Sequence, residues 1–253
     1  MLRAGIDIGS RTVALVVLDG LKTVRTALVD TGFNPLGTAR EMAALVPPEV
    51  AIIATGYGRH AAGAEFARSV VTEIKAHALG VSRLFPEART VLDIGGQDMK
   101  VILLDGRGGV NDFQMNDKCA AGTGKFLEVM AGALGYRSVE DLGRDSLQGK
   151  AIIKISSMCT VFAESEAVSL LHRGVARSDV GRALHVSVVE RAFGLLQRVG
   201  YEAPLVFTGG VAMNPCIVTM LKEKIRGRVI IPENPQLVGA LGAALVDCGK
   251  DGV

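Results

Sequence analysis

Two stretches of the chain are alike, and together they decide the fold. Ile6–Gly20 reads IDIGSRTVALVVLDG, and Leu92–Gly106 reads LDIGGQDMKVILLDG. At a constant offset of 86 residues, six of the fifteen aligned positions are identical, and most of the others pair one apolar residue with another. A gapless match with Asp-Ile-Gly near one end and Leu-Asp-Gly at the other indicates a duplicated unit.

Each copy has the pattern of a β-hairpin. An apolar strand ends at Asp-Ile-Gly, a turn follows, and a second strand rich in branched residues ends at Asp-Gly, which is a strong turn signal. Around the hairpins, strand-like and helix-like patterns alternate, which predicts an α/β fold with mixed sheets. We expect further strands at 22–28, 50–54, 205–207 and 229–231, and helices at 37–45, 64–79, 126–134, 161–171, 180–199 and 235–246.

The composition is that of a folded protein without a polyanionic partner. Hydrophobic residues make up 49% and charged residues 21% of the 253 residues, which excludes a disordered chain. The formal charge is +2, so we expect neither nucleic acid nor a membrane as a partner. Met1 to Ala4 lead directly into a strand-like segment, and no stretch reaches 18 apolar residues. We therefore expect a cytoplasmic protein.

The four cysteines are too few for a disulfide scaffold of this size, and their spacing fits no zinc ribbon or finger. In a reducing compartment they are free, catalytic or metal-bound. Cys119 and Cys159 both fall immediately before a predicted helix, where the helix dipole favours a thiolate. Two cysteines cannot complete an iron–sulfur site that needs four thiolates, whereas a two-fold dimer would supply all of them. The alternative is that both are small buried apolar residues.

The duplicated hairpins also suggest a nucleotide site. Glycine lets backbone N–H groups approach phosphate oxygens, and the carboxylates of Asp7 and Asp93 are suited to Mg²⁺. The order of the loops resembles the ATPase fold shared by actin, Hsp70 chaperones and sugar kinases. In that resemblance Asp7–Ser10 corresponds to phosphate loop one, Asp93–Gln97 to phosphate loop two, and Phe207–Val211 to the adenosine motif. For a single loop, the alternative is an ordinary hairpin in which Asp caps the turn.

This resemblance implies two domains with ATP in a cleft between them, residues 1–86 plus 230–253 forming domain I and 87–229 forming domain II. Gln97 and Asp98, with Asp93, are the candidates for orienting the attacking water and Mg²⁺. The candidate nucleotide contacts are Asp7, Gly9, Ser10, Arg11, Thr12, Gly95, Gly96, Gln97, Thr123, Gly209, Gly210, Val211, Pro235 and Gln236.

One segment imitates a different nucleotide motif. Ala121–Lys125 reads AGTGK, like the end of a P-loop, but the full motif needs Gly where Cys119 stands and Ser or Thr where Phe126 stands. The residues before it are polar and do not form the expected buried strand. The sequence therefore argues against a P-loop.

Several segments resemble one family specifically. NDKCAAGTGKFLEVMA (116–131) and ISSMCTVFAESE (155–166) resemble the activator, or component A, of 2-hydroxyacyl-CoA dehydratases. TGYGR (55–59), DIGGQDMK (93–100) and GGVAMN (209–214) are also similar to this family. The family includes the ATP-binding subunits of benzoyl-CoA reductases and the reductases of double-cubane-cluster proteins.

The resemblance implies a homodimer that holds one [4Fe-4S] cluster through Cys119 and Cys159 of each subunit. ATP binding and hydrolysis would change the angle between the two helices that meet at the cluster. One electron at low potential would then pass to an iron–sulfur dehydratase or reductase. We further expect ferredoxin or flavodoxin as the electron donor, ATP/ADP and Mg²⁺ as cofactors, and an anaerobic source.

The chain departs from the family pattern in phosphate loop one. Relatives usually continue as Gly-Ser-Thr and later have a Lys, whereas here Arg11 follows Ser10 and Ala14 occupies the Lys position. Arg11 is the candidate to replace that charge, so the difference bears on ATP affinity or rate and not on the fold. Two other functions stay open: a small-molecule kinase of the same fold, and a nucleotide-dependent regulator without a cluster.

The remaining candidates are weaker. Glu164 and Glu166 follow Cys159 and either tune the cluster region or form a solvated helix face. Cys216 and Cys248 match no ligand motif, and we expect them to be inert packing or surface thiols. The four histidines share no metal-ligand spacing: His60, His77, His172 and His185.

Overall fold

The computed structural model describes residues 1–116, 119–155 and 159–246, in which strands and helices alternate around two five-stranded sheets. The strands are β1 (Leu2–Ile8), β2 (Thr12–Asp19), β3 (Lys22–Asp30), β4 (Ile52–Gly56), β5 (Ser69–Val70), β6 (Thr90–Ile94), β7 (Met99–Leu104), β8 (Val110–Asn116), β9 (Leu205–Thr208) and β10 (Val229–Ile230). The helices are α1 (Pro35–Ala43), α2 (Arg59–Glu65), α3 (Glu73–Leu84), α4 (Gly124–Ala133), α5 (Val139–Ser146), α6 (Thr160–His172), α7 (Arg177–Val199), α8 (Pro215–Lys224) and α9 (Val238–Leu245).

The first sheet has the order β3-β2-β1-β4-β5 and is mixed. β1 pairs antiparallel with β2 and parallel with β4, so both hairpin strands lie inside the sheet. Because side chains alternate along a strand, the two faces of β2 contribute residues to two different hydrophobic cores. Val13, Leu15 and Val17 pack with α1, whereas Ala14, Val16 and Leu18 pack with α9.

The last helix approaches its neighbours at backbone distance. A β-carbon on Gly5 of β1 would collide with the carbonyl of Ala240, and one on Gly242 would collide with the carbonyl of Ala76. The Gly- and Ala-rich composition of this segment is therefore what allows α9 to lie against β1 and α3. The helix begins at Val238, three residues later than predicted, because Pro235 and Gln236 form a turn.

The second sheet has the order β10-β9-β6-β7-β8. β6, β7 and β9 are buried along their whole length, and β8 is an exposed edge strand. The two predicted hairpins are thus confirmed as β1–β2 and β6–β7, one in each sheet.

The predicted single helix over 64–79 is wrong. α2 ends at Glu65, the chain then pairs with β4 as β5, and α3 starts anew at Thr72, whose hydroxyl accepts a hydrogen bond from the N–H of Lys75. A cap of this kind begins a new helix because it satisfies an N–H that has no partner within the helix.

Two helices were not predicted, although their N-terminal signals are present. Ser138 caps α5, which has two acidic residues in its first turn, and Asn214 caps α8, which has Pro at its first position.

The chain divides into two compact units. Unit 1 comprises residues 1–91, 102–113 and 232 onward, and unit 2 comprises 92–101 and 114–231. Among the described residues, no helix is both long enough and apolar enough to cross a membrane.

Candidate functional site

Phosphate loop one, between β1 and β2, is closed by its own backbone and held by Thr31. The N–H of Gly9 donates to the carbonyl of Thr12 at 3.0 Å. Thr31, which is buried, donates its hydroxyl to the carbonyl of Gly9 at 2.8 Å and its N–H to the carbonyl of Arg11 at 2.9 Å. These bonds fix the backbone on both sides of Ser10. The role of Thr31 was not predicted, because it lies 22 residues beyond the loop that it holds.

Asp7, at the end of β1, lies between two glycines of unit 1. A β-carbon on Gly56 would collide with Oδ1 of Asp7, and one on Gly239 would collide with Oδ2. Gly56 also has φ +86°, a conformation that favours glycine. The carboxylate predicted to serve Mg²⁺ is therefore held by close backbone packing from two elements that are distant in sequence.

Phosphate loop two, between β6 and β7, repeats the closure of loop one. The N–H of Gly95 donates to the carbonyl of Asp98 at 3.0 Å, the same bond at an offset of 86 residues. Two further bonds tie the start of α4 to this loop, from the N–H of Gly124 to the carbonyl of Gly95 (2.9 Å) and from the N–H of Lys125 to the carbonyl of Gly96 (2.8 Å). The sequence that imitates a P-loop thus contacts phosphate loop two through its backbone.

Lys100, on β7, joins the two carboxylates of loop two. Its Nζ lies 2.7 Å from Oδ2 of Asp98 and 3.3 Å from Oδ2 of Asp93. The hydroxyl of Thr208 donates to the other oxygen of Asp93 at 2.9 Å. The side chains of Lys100 and Asp93 are only 3% and 5% exposed, whereas that of Asp98 is 25% exposed. Asp98 therefore presents the accessible carboxylate of this group, and the adjacent Gln97 is exposed.

The predicted adenosine turn packs directly on loop two. Gly209 has φ +85°, and a β-carbon there would collide with the carbonyl of Ile94 and lie 2.9 Å from Oδ1 of Asp93. In unit 1, Gly56 has nearly the same φ and stands in the same relation to Ile8 and Asp7. The duplication therefore extends beyond the hairpins to the strand that follows each of them in space.

These observations place Asp93, Gly95, Gly96, Gln97, Asp98, Thr123, Gly209, Gly210 and Val211 around one part of unit 2, and Asp7, Gly9, Ser10, Arg11 and Thr12 at phosphate loop one in unit 1. Thr123 is buried as the N-cap residue of α4, and its hydroxyl donates to the carbonyl of Ala120. Pro235 and Gln236 lie in the turn before α9, in unit 1.

Known proteins are similar to this chain over nearly its whole length. A family model for the BadF/BadG/BcrA/BcrD ATPase family matches residues 4–246. The chain belongs to this family. The activator of lactoyl-CoA dehydratase from Anaerotignum propionicum is 44% identical over 253 residues, covering 97% of this chain and 96% of the relative.

Two solved structures of family members superpose closely. Component A of (R)-2-hydroxyglutaryl-CoA dehydratase from Acidaminococcus fermentans has a TM-score of 0.90 at 41% identity, covering 97% of this chain and 96% of the other. The activator of 2-hydroxyisocaproyl-CoA dehydratase from Clostridium difficile, with bound ADPNP, has a TM-score of 0.87 at 40% identity, covering 97% and 93%. The predicted two-domain ATPase fold of the actin, Hsp70 and sugar kinase type is confirmed.

In this family member the two cysteines that resemble cluster ligands lie in different settings. Cys159 is exposed and is the N-cap residue of α6. Cys119 is half-buried, but it is not immediately before a helix as predicted, because a turn containing Gly122 (φ +91°) separates it from the N-cap residue Thr123. The helix-dipole argument therefore applies to Cys159 alone. Among the described residues, no group of three or more His, Cys, Asp or Glu is placed to hold a metal ion.

Of the two other cysteines, only Cys216 lies in the part of the chain that the structure describes. Cys216 is fully buried in α8, and burial raises the pKa of its thiol to about 11, so the thiolate is scarce at neutral pH. The prediction of an inert thiol agrees with this placement. Cys248 lies outside the described residues.

His185 is fully buried and contacts Asn214, the residue that directly follows the adenosine turn. Its Nδ1 lies 2.7 Å from the carbonyl of Gly181, and its Nε2 lies 3.0 Å from the side-chain nitrogen of Asn214. Because Oδ1 of Asn214 accepts the N–H groups of Cys216 and Ile217, the Asn214 amide must donate to Nε2. Nδ1 then carries the proton. Burial lowers the pKa of His185 to about 4, so this histidine is neutral and structural.

Proposed function

We propose that this protein is an ATP-hydrolysing activator that passes single electrons to a partner iron–sulfur enzyme. In this proposal two copies of the chain share one [4Fe-4S] cluster, held by Cys119 and Cys159 of each copy. The partner is an enzyme of the 2-hydroxyacyl-CoA dehydratase type, and the protein is cytoplasmic.

Phosphate loops one and two support the part of the proposal that concerns ATP binding. Each loop presents a glycine turn closed by the same backbone bond, and each has an Asp at the end of the preceding strand. Each loop has its own carboxylate, Asp7 in loop one and Asp98 in loop two, and each carboxylate offers the oxygen donors that Mg²⁺ prefers. Bound Mg²⁺ would neutralise charge on the phosphates during hydrolysis. Gln97 is exposed beside Asp98, where it would orient the attacking water.

The single observation that carries the electron-transfer part is the setting of Cys159. An exposed thiol at a helix N-terminus is suited to a soft metal, and the two cysteines of one chain that resemble ligands, Cys119 and Cys159, are too few for a cluster with four thiolates. Val161 and Phe162, just beyond it, are 65% and 69% exposed. Apolar side chains left exposed beside a potential ligand indicate a surface that another molecule covers. A second copy of the chain would cover it and supply the missing thiols.

When bound, the cluster would supply one-electron transfer at a low potential, which depends on hydrogen bonds and solvent exposure around it. The chain's own task is to bind ATP with different affinity in two conformations, since only a differential affinity lets a nucleotide shift the equilibrium. Two relatives, at 44% and 40% identity, are named activators of lactoyl- and 2-hydroxyisocaproyl-CoA dehydratases, which favours that partner class over a reductase.

Anaerobic reconstitution with iron and sulfide tests this proposal. We expect brown protein with about four iron atoms per two chains, and ATP hydrolysis that requires Mg²⁺. Cys159→Ala and Cys119→Ala should each abolish the cluster while leaving nucleotide binding intact. Cys216→Ala is the matched control and should retain the cluster. Colourless protein after reconstitution would refute the electron-transfer role, and a cluster that survives Cys159→Ala would refute the ligand assignment.

A further inference from the structure

Lys100 is a charged residue in a strand that is otherwise apolar and buried. β7 reads MKVILL, and all six residues are buried. A buried ammonium is costly unless it is paired, so a lysine at this position requires nearby anions. The duplicated hairpin shows that the fold itself does not need it, because the equivalent position in β2, 86 residues earlier, is Ala14. In this chain, therefore, a lysine at this position serves phosphate loop two and not phosphate loop one.

The anions near Lys100 have unequal environments. Asp93 is almost fully buried, and its two oxygens face Thr208 and Lys100 respectively. Asp98 is more accessible and makes the shorter bond to Lys100, at 2.7 Å. Asp93, which itself accepts from Thr208, thus anchors the lysine, and the lysine in turn holds the accessible carboxylate of Asp98.

The backbone fixes the distance between these groups. Asp98 closes loop two through its carbonyl, which accepts from the N–H of Gly95, and Lys100 follows two residues later as the second residue of β7. A β-carbon on Gly95 would lie 2.8 Å from Oδ1 of Asp98, so the other oxygen of that carboxylate packs against the loop glycine. Asp98 is thereby oriented on both oxygens at the point where the loop would meet a phosphate.

We propose that Lys100 is a positioning residue for the Mg²⁺–nucleotide complex, acting through Asp98. It holds the Asp98 carboxylate in the orientation that receives Mg²⁺ or its bound water. This inference rests on the proposed ATP-dependent function, and it assigns a role to a residue that does not itself touch the nucleotide. Residues that orient a metal-binding carboxylate typically change metal affinity about 10- to 100-fold when they are replaced.

The test measures binding of a non-hydrolysable ATP analogue by calorimetry, with Mg²⁺ and with a chelator. The ratio of the two dissociation constants gives the Mg²⁺ enhancement without relying on turnover. Lys100→Met keeps the length of the side chain and removes its charge. We expect it to lower the Mg²⁺ enhancement at least about tenfold while binding without Mg²⁺ changes much less.

Asp98→Asn provides a second variant at a more exposed position. We expect it to lower the Mg²⁺ enhancement as much as Lys100→Met, and the double variant to lower it no further than Asp98→Asn alone. Lys224→Met is the matched control, because it also removes a lysine from an ion pair, with Glu190 at 2.6 Å, and should leave the enhancement unchanged.

The outcomes separate this inference from the proposed function. Additive losses in the double variant, a wild-type enhancement in Lys100→Met, or an unchanged enhancement in Asp98→Asn would each overturn the positioning role. An unchanged Mg²⁺ enhancement in Asp98→Asn would overturn the positioning role even if Lys100→Met did not fold. Wild-type protein that binds no nucleotide would overturn the proposed function and, with it, this inference.

Discussion

The stability of the protein should fall on mild acidification because of one buried histidine. The pKa of His185 is about 4 in the folded chain, against an ordinary value of 6.5, chiefly because of burial. Protonation would also place an N–H on Nε2 against the Asn214 amide, which already donates to that atom. The folded state thus excludes a proton that the unfolded state accepts.

The difference in proton binding between the folded and unfolded states sets both the sign and the size of the change in unfolding free energy with pH. The stabilising contribution is fully present above pH 6.5 and is lost as the pH falls toward 4, since only the unfolded state binds a proton in that window. Each unit of difference between the folded and unfolded pKa values corresponds to about 1.4 kcal/mol, so the full contribution to the free energy of unfolding is about 3 kcal/mol. That is a large fraction of the stability of an ordinary domain.

Urea unfolding followed by circular dichroism between pH 7.5 and 4.5 measures this effect. His185→Gln removes the titrating group and should flatten the pH dependence by about 3 kcal/mol across the window. His172→Gln, which replaces an exposed histidine at the end of α6, is the control and should keep the wild-type slope. A histidine resonance of His185 that titrates near its ordinary pKa in the folded protein would refute the reasoning.

Two further substitutions test the geometry of the loops. Thr31→Val removes the hydroxyl bond to the carbonyl of Gly9 and keeps the backbone bond to Arg11, so it should cost about 1 kcal/mol in unfolding free energy and weaken ATP binding about fivefold, as measured by calorimetry. Thr26→Val on the exposed strand β3 should do neither. Gly209→Ala should lose about 2–3 kcal/mol more in thermal unfolding than Gly200→Ala, because both have positive φ but only Gly209 faces the carbonyl of Ile94. Equal losses at the two glycines would show that the adenosine turn tolerates a side chain.

The fold was predicted best where an apolar strand pattern is bounded by turn residues. The two hairpins follow from strands bounded by Asp-Ile-Gly and Asp-Gly, and the structure pairs them as expected. The error at 64–79 arose because an apolar run continues through Val70 and Val71, and only pairing with β4 makes part of it a strand. Tertiary hydrogen bonding outweighed local helical periodicity there.

The candidate site was predictable in its motifs and not in its supporting contacts. Thr31 has no local signal, because its partners lie about 20 residues earlier in the chain. Lys100 did carry a signal, since a lone lysine inside an apolar strand must be paired. Lys100 was not among the predicted site residues, because the family pattern places its lysine in loop one, at the position that Ala14 occupies here. The glycines that enclose Asp7 become evident only when the chain is folded.

Native mass spectrometry of the anaerobically reconstituted protein is the decisive test of the shared cluster, because it reports subunit number and cluster content together. We expect a species of two chains carrying one [4Fe-4S] cluster, which is lost when Cys159 is replaced by Ala. A single chain without iron, or a species with one cluster in each chain, would contradict it.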